Sequence, residues 1–536
     1  MDLKKNDAVK GIITDLNDDG QGVLKTASGE VVFIPNTCIG EEIEAIIINT
    51  KSKYAIGKLT KIIKTADCRV EPKCEYYTKC GGCEIMHLSH DEQMRFKQNK
   101  VSRLLKTIAK LDTTVEKCIS LNEFYYRNKI ALPVKNQEVG LYRKNSHNII
   151  PIENCIITKP WNETIIKLIK QFITTYNISC FNDETKKGLI KHIVAREIDG
   201  EILITIVING TTLPHESDLI KLICKNIKNV NINLNINKLN NNVILGKEWK
   251  DLYGKNYLVA NEYGILYPVS NASFYQINDQ IKKCIYDKCL SLIPPSYTCL
   301  DAYSGAGLLS GIISKKAKHC YGVEIIPEAT KNADLLKEQN NLTNLTNING
   351  DCSKVIPELV KKLKNEKLII TLDPPRKGCD KNVINAITSV LPEKIIYISC
   401  DPATLARDAK LILDSENYTV SLVQPYDMFP QTAHVETVCL LSKLNAKQYI
   451  EINLDMDELD LTDAEKKATY QEIKDYVLEH SGLKVSSLYI AQVKQQCGII
   501  ERENYNKPKS EDAKQPQCPP DKEKAIKEAL THFGMI

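Results

Sequence analysis

Short runs of alternating apolar and polar residues follow one another at the start of the chain. They are rich in β-branched residues and are separated by turn residues such as Asn17-Asp18-Asp19-Gly20, a pattern typical of half-buried strands. Five such runs in about 60 residues predict a small closed, OB-like β-barrel over residues 1–60. Barrels of this kind often bind oligonucleotides, and we favour RNA binding over a role as a spacer. The runs span residues 9–14, 20–25, 31–35, 42–49 and 54–62.

The periodicity changes further along the chain, which predicts a multidomain protein. Residues 61–270 mix strand-like and helix-like segments and predict an α+β central domain. It includes a basic amphipathic helix over 84–115, whose cationic stripe, with Lys97 and Lys100, is expected to face solvent or RNA. Residues 271–445 alternate buried apolar runs with helices, as in a Rossmann-like α/β domain. Residues 446–536 predict a small helical extension that contains a linker over 504–522.

Composition indicates the class of protein and the compartment in which we expect it. The 536 residues are 43% hydrophobic and 26% charged, as in soluble globular proteins. The sequence shows no signal-peptide pattern and no apolar stretch of bilayer length, so we expect a cytoplasmic protein without a membrane partner. Its 19 cysteines are then expected to be thiols, metal ligands or nucleophiles. Residues 51–130 contain 17 Lys and Arg against 9 Asp and Glu, a balance that favours contact with phosphates.

Four cysteines are concentrated within sixteen residues. Cys68, Cys74, Cys80 and Cys83 follow the spacing C-x5-C-x5-C-x2-C, with two glycines inside the last pair. The C-x2-C pair allows two thiolates to converge on one metal, and the glycines permit the tight turn. The spacing leaves zinc and an iron–sulfur cluster both open.

A glycine loop follows the first predicted strand of the α/β domain. Ser304-Gly305-Ala306-Gly307 separates that strand from a helix, and Glu324 ends the next strand, 23 residues after Asp301. Glycines let a ligand approach the backbone, and an acidic residue at this spacing can accept hydrogen bonds from ribose hydroxyls. Because the loop lacks the full G-x-G-x-x-G pattern, we expect S-adenosylmethionine rather than NAD, with Asp351 near the adenine edge.

Three reactive side chains follow later strand ends. Asp373 precedes Pro374-Pro375, Cys400 precedes Asp401-Pro402, and Glu436 begins another apolar run. Ligands of open α/β sheets bind at the carboxyl ends of the strands. Taken alone, Cys400 could be a buried thiol that only packs, or a nucleophile. Glu436 could likewise be a structural carboxylate or a base. Their occurrence together favours catalysis.

These residue types suit one reaction. C5 of uracil is too weak a nucleophile to take a methyl group from a sulfonium, whereas addition of a thiolate to C6 makes C5 nucleophilic. A base must then remove the C5 proton so that the thiolate can leave. Cys400, Glu436 and Asp373 supply the thiol, the base and a polar clamp on the pyrimidine. Methylation of an amino group needs no cysteine, so Cys400 argues against that reaction.

The chain resembles the RNA uracil-5-methyltransferase family, in the branch that carries an N-terminal TRAM domain and a 4Fe–4S cluster and methylates 23S ribosomal RNA. The resemblance covers about residues 1–443. Its Ser-Cys-Asp-Pro and His-Val-Glu-Thr motifs are highly specific together. The matching segments are residues 74–83, 152–155, 274–278, 301–307, 373–378, 399–408 and 434–438.

The resemblance implies a role for each matching residue. Cys400 would be the nucleophile and Glu436 the base. The residues that would contact S-adenosylmethionine are Gln276, Tyr303, Glu324 and Asp373. The ligands of the 4Fe–4S cluster would be Cys74, Cys80, Cys83 and Cys155. The expected protein is a monomer that acts on a uridine of 23S rRNA displaced from its stack. Two alternatives remain open: a transfer-RNA uracil-5-methyltransferase, and a non-catalytic RNA-binding iron–sulfur protein.

Overall fold

The computed structural model describes residues 3–363, 366–444, 470–497, 518–533 and 535–536. The chain divides into two compact units, Met1–Ala446 and Lys447–Ile536. Within the described ranges, no helix is both long enough and apolar enough to cross a membrane.

A closed barrel of five strands begins the first unit, as predicted. Its strands are β1 (Ala8–Leu16), β2 (Gly22–Lys25), β3 (Val31–Ile34), β4 (Glu42–Thr50) and β5 (Ala55–Lys64). They are ordered β1-β2-β3-β5-β4 around the barrel. Alternate side chains such as Ile13, Ile34 and Ile43 point inward and form a small apolar core.

The predicted basic helix is shorter than expected and partly buried. Helix α1 (His90–Leu104) is followed by a π-helical turn, Leu105–Ala109. Lys97 was expected on an exposed basic stripe but is fully buried, where it forms an ion pair with Asp427. That expectation was wrong because the partner carboxylate lies 330 residues away in the sequence, beyond the reach of any local pattern.

A mixed seven-stranded sheet with two helices on one face forms the centre of the first unit. Its helices are α2 (Trp161–Thr175) and α3 (Glu216–Asn226). Its strands are β6 (Lys129–Lys135), β7 (Glu138–Tyr142), β8 (Ile149–Pro151), β9 (Ile190–Ile198), β10 (Glu201–Ile208), β11 (Val230–Ile236) and β12 (Glu248–Tyr253). The sheet order is β12-β11-β10-β9-β6-β7-β8. Alternate residues of the inner strands, among them Ile204 and Ile232, pack against Phe172 of α2 and Ile223 of α3.

The remainder of the first unit is the predicted α/β fold. A hairpin, β13 (Leu258–Glu262) and β14 (Ile265–Val269), leads into it. The strands of the main sheet are β15 (Thr298–Ala302), β16 (His319–Glu324), β17 (Leu345–Asn349), β18 (Leu368–Leu372), β19 (Lys394–Ser399), β20 (Tyr418–Tyr426) and β21 (Glu436–Lys443). The helices are α4 (Asp279–Ser291), α5 (Leu308–Ser314), α6 (Pro327–Gln339), α7 (Cys352–Lys362), α8 (Lys381–Val390) and α9 (Pro402–Leu413).

The sheet order explains where its ligand edge lies. Strands β17-β16-β15-β18-β19 are parallel, whereas β21 runs antiparallel between β19 and β20. Strand β18 is apolar at four of its five positions and buried throughout, as expected for a strand covered on both faces. The order reverses direction at β15, so a ligand crevice is expected beside the carboxyl ends of β15 and β18.

The second unit contains three described helices around an apolar core. They are α10 (Tyr470–Ser481), α11 (Ser487–Gln496) and α12 (Pro520–His532). Ile473, Ile490 and Ile526 contribute one buried side chain from each helix. Most of the linker predicted over 504–522 lies outside the described residues. Residues 520–522 of the predicted linker are instead the first residues of α12. The proline-rich composition of this segment did not predict a helix there.

Candidate active site

The sheet register brings the predicted thiol and carboxylate together. Cys400 directly follows β19, and Glu436 is the first residue of β21. Ser399 pairs with Thr437 in the antiparallel ladder, so the same register sets Cys400 opposite Glu436. Asp373 follows the neighbouring parallel strand β18 and completes the group.

The turn that carries Cys400 is held by its own side chains. Ser399 Oγ donates a hydrogen bond to the Asp401 carbonyl at 2.8 Å. The Asp401 carboxylate caps α9 by accepting from the amides of Ala403 and Thr404 at 2.9 and 3.1 Å. Pro402 suits the first helical position because its missing N–H would be unpaired there. Cys400 therefore projects from a rigid turn and is half-buried.

Acidic groups at this edge raise one another's pKa values. Burial, together with Glu324, raises the pKa of Asp301 to about 6. Burial and Asp301 raise the pKa of Asp373 to about 7. Burial and Asp373 raise the pKa of Glu436 to about 8. Carboxyl groups with pKa values near neutrality are typical of acid–base sites.

The same charges act on the thiol. Burial, then the charges of Glu436 and Asp373, raise the pKa of Cys400 to about 11. The exposed guanidinium of Arg376 opposes this and lowers the pKa values of both Cys400 and Glu436. Neither Arg376 nor Asp301 was singled out from the sequence. The only sequence signal for Arg376 is its place in the Asp-Pro-Pro-Arg segment. Asp301 enters the sequence analysis only as the residue from which the spacing to Glu324 is counted.

The glycine loop forms the neighbouring part of the edge. Gly305 and Gly307 have φ angles of 55° and 82°, which favour glycine. A Cβ on Gly307 would lie 2.7 Å from Ala333 Cβ, whereas a Cβ on Gly305 would meet no atom within 4 Å. Gly305 thus leaves open space for a ligand. The buried Glu324 side chain accepts a hydrogen bond from Gly305 N at 3.0 Å, and its carboxylate retains capacity for further donors.

Tyr303 and Gln276 lie on separate segments. Tyr303 follows β15 with a φ angle of 65° and is half-buried. Gln276 precedes α4, and its backbone carbonyl accepts from Asn128 Nδ2 at 2.9 Å. Its side-chain amide has no hydrogen-bond partner among the described residues. Phe274, two positions earlier, is 80% exposed, which excludes a role as an ordinary core aromatic.

Helix α1 fixes the segment that leads to Glu436. Lys97 Nζ donates to the Phe429 carbonyl at 3.1 Å in addition to its ion pair with Asp427. Lys100 Nζ donates to the Ala433 carbonyl at 3.0 Å and to the Asp18 carbonyl, in the β1–β2 turn of the barrel, at 2.7 Å. The position of the carboxylate therefore depends on contacts outside the α/β fold.

Four of the five cysteines considered above lie together around one end of a cavity in the central part of the first unit. These are Cys74, Cys80, Cys83 and Cys155. Burial and the nearby Cys155 raise the pKa of each of the other three. Cys68 instead packs in the small apolar cluster that contains the buried Cys38. Across the described ranges, no three His, Cys, Asp or Glu side chains form a site for a metal ion, so the predicted cluster ligands remain a prediction.

Comparison with known proteins identifies the class. The family described as tRNA (Uracil-5-)-methyltransferase matches residues 90–444, and the TRAM domain matches residues 12–60. The chain belongs to the tRNA (uracil-5-)-methyltransferase family, a family of S-adenosylmethionine-dependent RNA methyltransferases. This confirms the predicted family.

Individual relatives agree with this assignment. An uncharacterized RNA methyltransferase of Clostridium tetani is 38% identical over 457 residues, which cover 83% of this chain and 98% of that protein. One from Halalkalibacterium halodurans is 38% identical over 454 residues, with the same coverage. The Pyrococcus abyssi tRNA (uracil-54, C5)-methyltransferase in complex with S-adenosyl-L-homocysteine is similar with a TM-score of 0.67 and 26% identity. The match covers 81% of this chain and all of that one.

The charge of Glu436 should control the reactivity of Cys400. Removing that charge in Glu436→Gln lowers the thiol pKa, so more thiolate is present at alkaline pH. We expect Cys400 to be alkylated by iodoacetamide about three- to ten-fold faster in this variant at pH 9, and at nearly the wild-type rate at pH 6.5, where Glu436 is already protonated. Mass spectrometry of the Cys400 peptide measures both rates. Glu328→Gln, an exposed carboxylate on α6, is the matched control. Equal rates at pH 9 in the wild type and Glu436→Gln would contradict the coupling.

Proposed function

We propose that this protein methylates C5 of a uridine in 23S ribosomal RNA. Cys400 adds to C6 of uracil, and Glu436 removes the C5 proton. The observation that carries the proposal is the strand register that sets Cys400 opposite Glu436, with Asp373 on the next strand end. A thiol packed for structure needs no such neighbours, whereas addition to uracil needs a base close to the same ring.

The residues act in a defined order. The sulfur of Cys400, as thiolate, forms a bond to C6, and Asp373 holds the polar edge of the uracil ring. S-adenosylmethionine supplies the electrophilic methyl group. Glu436 then takes the proton from C5, the C5–C6 double bond re-forms, and the Cys400 thiolate leaves. The raised pKa of Glu436, about 8, makes its carboxylate a stronger base than an exposed glutamate.

The carboxyl groups at the sheet edge fit a cationic cofactor. Among the described residues, the side chains of Asp373 and Glu436 make no hydrogen bond or ion pair, and burial, followed by a neighbouring carboxylate, raises the pKa of each. The positive sulfonium of S-adenosylmethionine would favour their ionised forms. Glu324 would accept from the ribose, and Gln276 and Tyr303 would line the remainder of the cofactor site. The open space over Gly305 is consistent with a ligand there.

The ribosomal substrate rests on the resemblance to the branch with both a TRAM domain and a cysteine cluster. Transfer RNA is the second candidate, because the similar Pyrococcus abyssi enzyme is a tRNA (uracil-54, C5)-methyltransferase. Uridines in either RNA must leave their stack to reach Cys400. The exposed ring of Phe274 could stack on such a base.

A pair of variants separates the two catalytic steps. Cys400→Ala should abolish 5-methyluridine formation while S-adenosylmethionine still binds, because the thiol acts on uracil rather than on the cofactor. Glu436→Gln should instead accumulate a covalent protein–RNA adduct, since the methylated intermediate cannot lose its C5 proton. Radiolabelled methyl transfer measures 5-methyluridine formation, and calorimetry measures binding of S-adenosylmethionine. Denaturing gels detect the covalent protein–RNA adduct. Wild-type levels of 5-methyluridine in Cys400→Ala would refute the mechanism and favour a non-catalytic RNA-binding protein.

Mapping the product identifies the substrate. We expect 5-methyluridine at one or more positions of 23S rRNA to disappear when the gene is deleted and to return with the wild-type gene but not with Cys400→Ala. Sequencing of 23S rRNA and tRNA from the same cells makes the comparison. Loss confined to tRNA would assign the second candidate instead.

We infer an iron–sulfur cluster at the cysteine group from the resemblance to the branch that carries one. Cys74, Cys80, Cys83 and Cys155 all line one cavity, and a 4Fe–4S cluster takes four thiolate ligands. Cys74, Cys80, Cys83 and Cys155 would hold the cluster and tie the two chain segments together.

Anaerobic purification tests the cluster. The wild-type protein should be brown and contain iron and sulfide in equal amounts, about four of each per chain. Cys83→Ala should lose most of the iron, whereas Cys68→Ala, which removes the neighbouring thiol outside the group, should retain it. Metal analysis and visible absorption provide the measurements. Zinc in place of iron, or full iron content in Cys83→Ala, would contradict the ligand set.

A further inference from the structure

The cavity beside the four cysteines is large and strongly basic. Its volume is 1110 Å³, whereas small-molecule pockets are about 300–1,000 Å³. Seven Lys and Arg side chains line it against two acidic ones, a difference of five positive charges. The basic residues are Arg127, Lys129, Lys135, Arg143, Lys144, Lys186 and Lys191, and the acidic residues are Glu84 and Asp183.

Several of these cations already have partners within the protein. Lys135 pairs with Asp183. Lys191 Nζ donates to the Leu239 carbonyl at 2.8 Å, and Lys129 Nζ donates to the Asn271 carbonyl at 2.7 Å. These three side chains are therefore held by the protein itself and form part of the cavity wall.

Other cations in the cavity interact with its acidic residues only at longer range, Lys144 with Glu84 and Lys186 with Asp183. Arg143, Lys144 and Lys186 are exposed, and their side chains make no hydrogen bond or ion pair with any described residue. The half-buried Arg127 belongs to the same lining, and its Nε atom has no hydrogen-bond partner. Three solvated cations on two loops, together with this guanidinium, are a suitable arrangement for an extended polyanion.

One short segment connects this cavity to the catalytic edge. Lys144 N donates to the Lys79 carbonyl at 3.1 Å, which joins the cavity rim to the cysteine loop. Five residues later in that loop, Glu84 N donates to the Gln431 carbonyl at 3.1 Å. Gln431 is five residues before Glu436. A strand of RNA leaving the catalytic edge would therefore meet the cavity across this loop.

We propose that this cavity binds the phosphodiester backbone of substrate RNA on one side of the target uridine, an inference that rests on the proposed function. Arg143, Lys144 and Lys186 neutralise phosphates, and the loop of residues 79–84 separates this subsite from the catalytic edge. Phe181 is buried and Lys135 covers the Tyr142 ring at 5.6 Å, so neither ring is free to stack on a base. The excess of cations in the lining makes the contribution of this subsite electrostatic, and contacts to phosphates do not depend on base identity.

Salt-dependent binding to the full-length protein tests the subsite. The probe is a fluorescent oligouridylate of roughly 20 nucleotides, followed by anisotropy at several salt concentrations. The triple variant Arg143→Ala/Lys144→Ala/Lys186→Ala should bind at least about ten-fold more weakly at roughly 100 mM salt, and the slope of log affinity against log salt should fall by about 2. S-adenosylmethionine binding should not change.

Two matched variants complete the test. Lys221→Ala/Lys225→Ala/Lys228→Ala removes the same charge in and just after α3, which packs on the sheet of the same domain, and should bind like the wild type. Arg143→Lys/Lys144→Arg/Lys186→Arg keeps the charge and should keep the wild-type slope. Equal binding by the two alanine variants, or weaker binding without a change of slope, would overturn the assignment. So would tighter binding of polyglutamate than of the oligouridylate, which would indicate an acidic protein partner. Because no methyl transfer is measured, failure of this test is distinguishable from failure of the proposed reaction.

Discussion

The antiparallel register of β21 against β19 is the constraint on which the catalytic geometry depends. It sets Glu436 opposite Cys400, and strand side chains alternate between the two faces of a sheet. A slip of one residue would therefore turn Glu436 to the other face. Two ladders fix the register, because β21 is paired on its other edge with β20, where Glu436 lies opposite Tyr426. Burial of both faces of β21 makes every alternative pairing costly.

This arrangement brings carboxyl groups together with only the exposed Arg376 as a nearby counter-charge. Asp301 is satisfied by hydroxyl groups, since Ser310 and Thr371 donate to it at 2.5 and 2.7 Å. Asp373 and Glu436 have no such donors among the described side chains. Uncompensated buried carboxylates oppose folding, and sites of this kind are commonly functional. In the proposed reaction the cationic cofactor would offset this charge, so binding and catalysis would use the same two carboxylates.

Local patterns predicted the elements better than the contacts between them. The alternation of the first 60 residues predicted the barrel, and the Ser-Cys-Asp-Pro turn predicted the end of β19. The pairing of Cys400 with Glu436 needed the insertion of β21 between β19 and β20, which no local spacing encodes. The burial of Lys97 depended on a residue 330 positions away. Asp301 escaped notice because a single carboxylate inside an apolar strand has no distinctive spacing. Long-range pairing is thus the part of the site that sequence reasoning could not reach.

Lys100 connects the barrel to the backbone close to Glu436, the proposed general base. Its one ammonium group donates both to Asp18 in the β1–β2 turn and to Ala433, three residues before Glu436. The barrel cannot shift relative to the α/β fold without lengthening one of these two hydrogen bonds. Because both hydrogen bonds come from one ammonium group, a displacement of the barrel would act on the backbone three residues before Glu436. Through this lysine, the position of the barrel and the alignment of the carboxylate are linked.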